Sequence, residues 1–138
     1  MRRLAFVMIS LTALAMTAAA EDFDGSKPMV CTPTQGHDCL PGQSECKPLE
    51  PRLEKYRDFG FDVGNKTVWS PYRTADLPID SVSRNAKSLV LQGRTLEVAW
   101  TGTIHRTTGR LTVVIADREG AYVVFGQCKL GTVQKPAA

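Results

Sequence analysis

From Phe59 onward the chain is a succession of short apolar-rich runs separated by tight turns, and this spacing limits the fold more than any other feature. Residues 59–63 and 66–70 flank Gly64-Asn65, a pair suited to a two-residue hairpin turn. Residues 79–83 alternate apolar and polar side chains, as a half-buried strand does. Residues 88–92 and 95–101 face each other across Gly93-Arg94, and residues 102–106 continue the second run. Thr107-Thr108-Gly109 and then Asp117-Arg118-Glu119-Gly120 punctuate the runs 110–116 and 121–128. Connections this short oblige neighbouring strands to be antiparallel, because a parallel pair needs a crossover of a dozen or more residues. The prediction is an all-β fold with minor α: an antiparallel meander of about 6–8 strands, curled into a small barrel or half-barrel that blunts its edges.

The N-terminal segment has a different purpose. Met1-Arg2-Arg3 is basic, residues 4–16 are almost wholly apolar, and Thr17-Ala18-Ala19-Ala20 supplies small residues before the polar Glu21-Asp22. That order is the pattern of a signal peptide over residues 1–20. The apolar run is shorter than the roughly 20 residues a spanning helix needs, so no stable membrane insertion is expected after cleavage. Arg2-Arg3 lacks the polar flanks of a twin-arginine signal, and no cysteine follows the cleavage site to take a lipid. The expected location is the periplasm, or the medium beyond it. Cleavage removes two of the 17 basic residues, leaving 15 against 14 acidic ones. These charges are spread singly, so no nucleic-acid partner is expected.

All four cysteines lie in the mature part. In a small exported domain an even count reads as two disulfides, with three pairings open. Pro41-Gly42 can fold Cys39 back on Cys46, which leaves Cys31 for Cys128, near the end of the last run. A metal site is the competing reading, but Cys-x7-Cys-x6-Cys lacks the close pair typical of zinc. Neither a metal nor a cofactor is expected.

Residues 21–50 hold four of the eight prolines and three of the cysteines, and read as an irregular arm. Within it Met29–Thr32 could form an edge strand, followed by a disulfide-pinned loop to about Pro48. Pro51 could open a short helix with Leu49, Leu53 and Tyr56 on one face, ending near Gly60. The meander then occupies 51–131, forming one domain with the arm, and residues 132–138 read as a frayed tail. Residues 111–116 and 121–128 are apolar on both faces, although a barrel wall needs only its inner face apolar. The outer face should therefore be covered, by the arm and helix, by another subunit, or by an apolar ligand.

Candidate chemistry is sparse. His37 lies in the cysteine loop and His105 within a strand, neither beside a metal-type partner. Gly42-Gln43-Ser44-Glu45-Cys46 resembles the start of a nucleophile elbow but has Cys46 where the closing glycine belongs. Asp58 with Asp62, or Asp117 with Glu119, could make an acid/base pair, though the latter two sit in a turn that uses such residues locally. Asp22 and Asp24 begin but do not continue a calcium series. Asn65-Lys66-Thr67 matches a glycosylation sequon, yet the hairpin turn explains the asparagine. Most of Trp69, Trp100, Tyr72, Tyr122 and Phe125 read as core. No catalytic, cofactor or metal residue is assigned.

The run Asp22-Phe23-Asp24-Gly25-Ser26-Lys27-Pro28 with Cys31, then Leu91-Gln92-Gly93, Trp100-Thr101, Thr108-Gly109 and Phe125-Gly126-x-Cys128, resembles a family of small exported proteins of Gram-negative bacteria with no assigned activity. Its motifs are turns, cysteines and core positions. The resemblance implies export, disulfides and the β-meander, and it transfers no site. The function expected is that of an exported non-enzymatic domain binding a protein partner or a small apolar ligand through its sheet, with oligomerisation through the outer face as one form of this. The alternatives are a small periplasmic hydrolase, with His37 or His105 beside a carboxylate, and a structural component of an envelope assembly.

Overall fold

The computed structural model describes residues 21–49 and 57–137. The expected signal peptide, most of the expected helix and Ala138 lie outside these residues. The described chain is all β, with no helix. Its strands are β1 (Met29–Cys39), β2 (Lys47–Pro48), β3 (Phe59–Asp62), β4 (Thr67–Ser70), β5 (Ala75–Pro78), β6 (Ser81–Arg84), β7 (Ser88–Arg94), β8 (Ala99–His105), β9 (Arg110–Ala116) and β10 (Ala121–Leu130). Nine of them form one antiparallel ladder in the order β5-β4-β3-β1-β10-β9-β8-β7-β6, and β2 pairs with the outer part of β1.

The sheet curls into a half-barrel, and its two edges are consecutive in sequence. β5 and β6 are separated only by Ile79 and Asp80. The Asp80 N–H donates to Gln92 O at 2.8 Å, and the Asp80 carboxylate accepts from the Arg94 N–H at 2.9 Å. Where the edges meet, a Cβ on Gly93 would overlap the Pro78 carbonyl and the Trp100 indole. Gly93-Arg94 is therefore not the expected turn. Both residues belong to β7, and the turn comes later, with Thr95 Oγ1 accepting from the Glu97 and Val98 N–H groups at 3.2 Å. The glycine is needed for close approach, not for reversal of the chain. The first hairpin also differs in detail. Its left-handed residue is Lys66 (φ 54°), and the Asp62 carboxylate holds the turn by accepting from Asn65 N (3.0 Å) and Nδ2 (2.8 Å).

Alternation places Leu89 and Leu91 of β7, Trp100 and Ile104 of β8, and Leu111, Val113 and Ile115 of β9 inside, against Phe59, Phe61, Val68 and Leu77. The segment before β1 closes one end. Phe23 is buried in the core, its N–H donates to Arg106 O at 3.0 Å, and its ring packs where Gly109 (φ 69°) has no side chain. A fully buried aromatic ring of this kind contributes roughly 2–3 kcal/mol.

The arm departs most from expectation. Met29–Cys39 is an eleven-residue strand in the interior of the ladder, between β3 and β10, not a short edge strand leading into a loop. Pro33, which cannot donate to the ladder, sits at a register shift before Gln35. Long-range pairing overrides the irregular look of this proline-containing segment. The disulfides are those expected: Cys31–Cys128 joins directly opposed residues of β1 and β10, and Cys39–Cys46 closes the short loop. Two disulfides are consistent with an oxidising extracellular or periplasmic environment. Beyond β10 the tail has no regular structure, yet Val133 packs against Gly60 and Lys135 reaches Asp76, so up to that point it lies on the sheet instead of fraying.

Candidate functional site

The strands that run 110–116 and 121–128 present a second apolar surface to the outside. Inward residues alternate with Thr112, Val114 and Ala116 on β9 and with Ala121, Val123 and Phe125 on β10, because side chains along a strand point to opposite faces. The register aligns these residues in rows across five strands. One row is Gln92, Thr101, Val114, Val123 and His37, and the next is Val90, Thr103, Thr112, Phe125 and Gln35. A third is Arg94, Ala99, Ala116, Ala121 and Cys39.

Val114 is 40% exposed and Phe125 38%, so no described residue covers the centre of this face. The arm does not cover it, because β1 has joined the sheet edge to edge instead of packing across it. Phe125, one of the five aromatics considered as core, thus belongs to the outside. The His37 ring meets it edge to face at 6.4 Å, and His37 Nε2 lies 3.0 Å from Gln35 Nε2. None of the three rows contains a carboxylate. Two shallow depressions mark the face, of about 650 Å³ over Ala99, Thr101, Val114 and Ala116 with Asp80 and Arg94 at its rim, and about 490 Å³ over Thr103, Thr112 and Phe125.

The interior offers far less room. The apolar void bordered by Phe59, Phe61, Trp100 and Ser70 amounts to about 10 Å³, roughly the space of a single water-sized probe. Ser70 is 1% exposed there, and its hydroxyl makes no hydrogen bond.

The carboxylates and histidines considered for catalysis are not brought together among the described residues. His105 Nδ1 accepts from the Thr107 and Thr108 N–H groups at 3.3 and 3.2 Å, which holds the β8–β9 turn. The depression beside it is lined by Ser88, Arg110 and Gln127 and holds no acid. Asp117 accepts from Glu119 N and Gly120 N at 2.8 and 3.0 Å, and these bonds hold its carboxyl below the usual range. Asp62 is lowered likewise by its bonds from Asn65, and Asp24 by bonds from Ser26. Asp22 is engaged by Arg106, and Asp58 lies 3.9 Å from Arg57 Nε. No group of three His, Cys, Asp or Glu side chains among the described residues could hold a metal ion.

Sequence reasoning found the doubly apolar strands but missed that the three rows across their outer face contain no acid, the nearest being Asp80 at the rim. That property appears only once β1, β7 and β8 are placed beside β9 and β10. No family model, curated protein or solved structure matches the chain.

Proposed function

We propose that the mature chain is an exported, non-catalytic binding module, working in the periplasm or beyond, that docks a protein partner on the outer face of β8–β10. The observation that carries this reading is the exposure of Val114 and Phe125 at the centre of rows that contain no carboxylate. Apolar side chains left on such a surface are stabilised by a covering partner. A small apolar ligand inside the half-barrel is disfavoured by the interior void of about 10 Å³.

Charge favours a different protein over a second copy. Arg94 ends one row and Arg110 lies beyond the opposite side of the face, next to Gln127. Stacking two copies face to face would bring basic groups together with only Asp80, at the rim beside Arg94, to answer them, whereas a partner with several acidic residues around an apolar centre would be complementary. With strands about 4.8 Å apart and successive rows about 7 Å apart, the face spans some hundreds of Å², the lower end of specific interfaces. The partnership is therefore a reversible one.

The test is crosslinking and affinity capture with mature protein recovered from the periplasm, comparing the natural chain with Val114→Asp/Phe125→Asp. A protein captured by the natural chain and lost with the double variant supports the reading. A monomer that captures nothing, or captures the same protein with both chains, overturns it. A dimer abolished by the double variant replaces the foreign partner with a second copy.

A further inference from the structure

Farther along the same outer surface of the sheet the C-terminal tail crosses β3, β4 and β5, and we propose that the groove beneath it binds an extended, lysine-bearing segment of another protein, its own tail filling that groove in cis. The groove floor is one cross-strand row, Val30, Gly60, Trp69 and Asp76. Gly60 provides a notch, since a Cβ there would overlap Val133 of the tail. Two residues on, on the same side of an extended chain, the Lys135 ammonium lies 2.7 Å from both Asp76 carboxylate oxygens. It also sits 5.4 Å from the centroid of the Trp69 ring. A carboxylate beside an aromatic face suits an ammonium group, through a charge-assisted hydrogen bond and a cation–π contact. The tail thus displays the chemistry that the groove accepts: a small apolar residue, a spacer, then lysine.

Three observations indicate that the tail is a provisional occupant. Trp69 is only 7% exposed, yet its indole N–H makes no hydrogen bond. A pocket of about 90 Å³ remains beside the tail, edged by Asp62, Thr67, Asp76 and Val133. After Gly131, whose N–H donates to Pro28 O at 2.9 Å, no backbone group of residues 132–137 bonds another backbone group among the described residues. The Lys135–Asp76 pair is about half exposed, so salt screens it. Gly131 (φ 144°) is the pivot at which the tail can swing away. A second copy's tail would leave the same indole N–H unpaired and the same pocket open. A foreign segment with an acceptor over Trp69 and a bulkier residue at the Val133 position satisfies both. Because the tethered tail competes at an effective concentration on the order of millimolar, only a segment that fits better displaces it.

The experiment compares the full oxidised chain with one ending at Gly131. The probes are synthetic peptides of residues 131–138, bearing the natural sequence, Lys135→Glu or Val133→Leu, with binding read by calorimetry and Trp fluorescence. The shortened chain should bind the natural peptide, and the full chain should bind it at least about tenfold more weakly because its own tail competes. Lys135→Glu should abolish binding, and Val133→Leu should tighten it about three- to tenfold by filling the pocket. If the shortened chain fails to fold, the full chain carrying Val133→Asp/Lys135→Glu releases its tail with the groove intact and serves in its place. No binding by a folded, tail-released chain overturns the proposal. So does equal binding of the Lys135→Glu peptide, or a Val133→Leu peptide that binds no better than the natural one. None of these outcomes touches the β8–β10 face.

Discussion

Asp22 and Arg106, separated by 84 positions, meet side by side at the end of the half-barrel where Phe23 enters the core. The Arg106 guanidinium also donates to Asn85 O at 2.9 Å, so one side chain ties the N-terminal segment to the β6–β7 loop. Arg106→Ala should lower the urea midpoint, mostly through lost hydrogen bonds, since Asp22 is half exposed and its charge is screened. Phe23→Ala should cost about 3 kcal/mol. Urea unfolding of the mature oxidised protein gives both values. A double-mutant cycle between Asp22→Asn and Arg106→Ala should show the two losses falling short of additive, and full additivity would make the pair incidental.

The seam between β5 and β7 makes Gly93 intolerant of any side chain. Gly93→Ala should destabilise by about 3 kcal/mol, because backbone at Pro78 must move. Gly102→Ala is the control: its nearest neighbour would lie 3.6 Å away in ordinary contact. There the expected change is a gain of about 0.5 kcal/mol from a less flexible unfolded chain. Similar losses at both positions would contradict the seam.

Ser70 holds a buried hydroxyl without a hydrogen bond, against an apolar void. Replacing it with alanine removes that desolvated group, and Ser70→Ala should raise stability by about 1 kcal/mol. A loss of stability in thermal unfolding would mean that the hydroxyl has a partner.

The two disulfides should differ in weight. Cys31–Cys128 closes a loop with a sequence separation of 97, and Cys39–Cys46 one of 7. In the chain-entropy account, Cys31→Ala/Cys128→Ala should cost about 4–5 kcal/mol and Cys39→Ala/Cys46→Ala about 2–3. Equal unfolding midpoints for oxidised and reduced protein would remove Cys31–Cys128 as a staple.

Acid should weaken the fold through its turns. Asp24, Asp62 and Asp117 accept hydrogen bonds from Ser26, from Asn65, and from the Glu119 and Gly120 amides, and each titrates below its ordinary 3.8. A carboxyl with a lowered folded pKa stabilises fully above its ordinary value and loses that contribution as pH falls through 3.8 and then through the folded value. The urea midpoint should be flat from about pH 5 to 8 and should decline below about pH 4. Asp62→Asn/Asp117→Asn should flatten the decline. An unchanged acid limb in that variant would refute the role of these turns.

Much of this architecture is legible from neighbouring residues alone. Asp117 to Gly120 and Thr107 to Gly109 announce their turns, and the alternation in residues 110–116 marks a strand, because turn chemistry and side-chain period act over a few positions. The Pro41-Gly42 turn likewise points Cys39 to Cys46. Gly93 shows the limit of this reasoning. A local reading takes it for a turn, and only the approach of Pro78, from another part of the chain, shows that it is a strand residue with no room for a side chain.

The sequence by itself thus determined the antiparallel class and the two-faced apolarity of residues 111–128, and pointed to the Cys39–Cys46 pair, since each depends on local spacing. Cys31–Cys128, with a separation of 97, followed only as the remaining pair. Tertiary structure alone decided that β1 lies inside the sheet, that β5 and β6 meet, and that the tail covers Trp69 while Val114 and Phe125 stay open. Those outcomes depend on which distant strands fill one interior together, and that energy belongs to the packed whole and to no single segment.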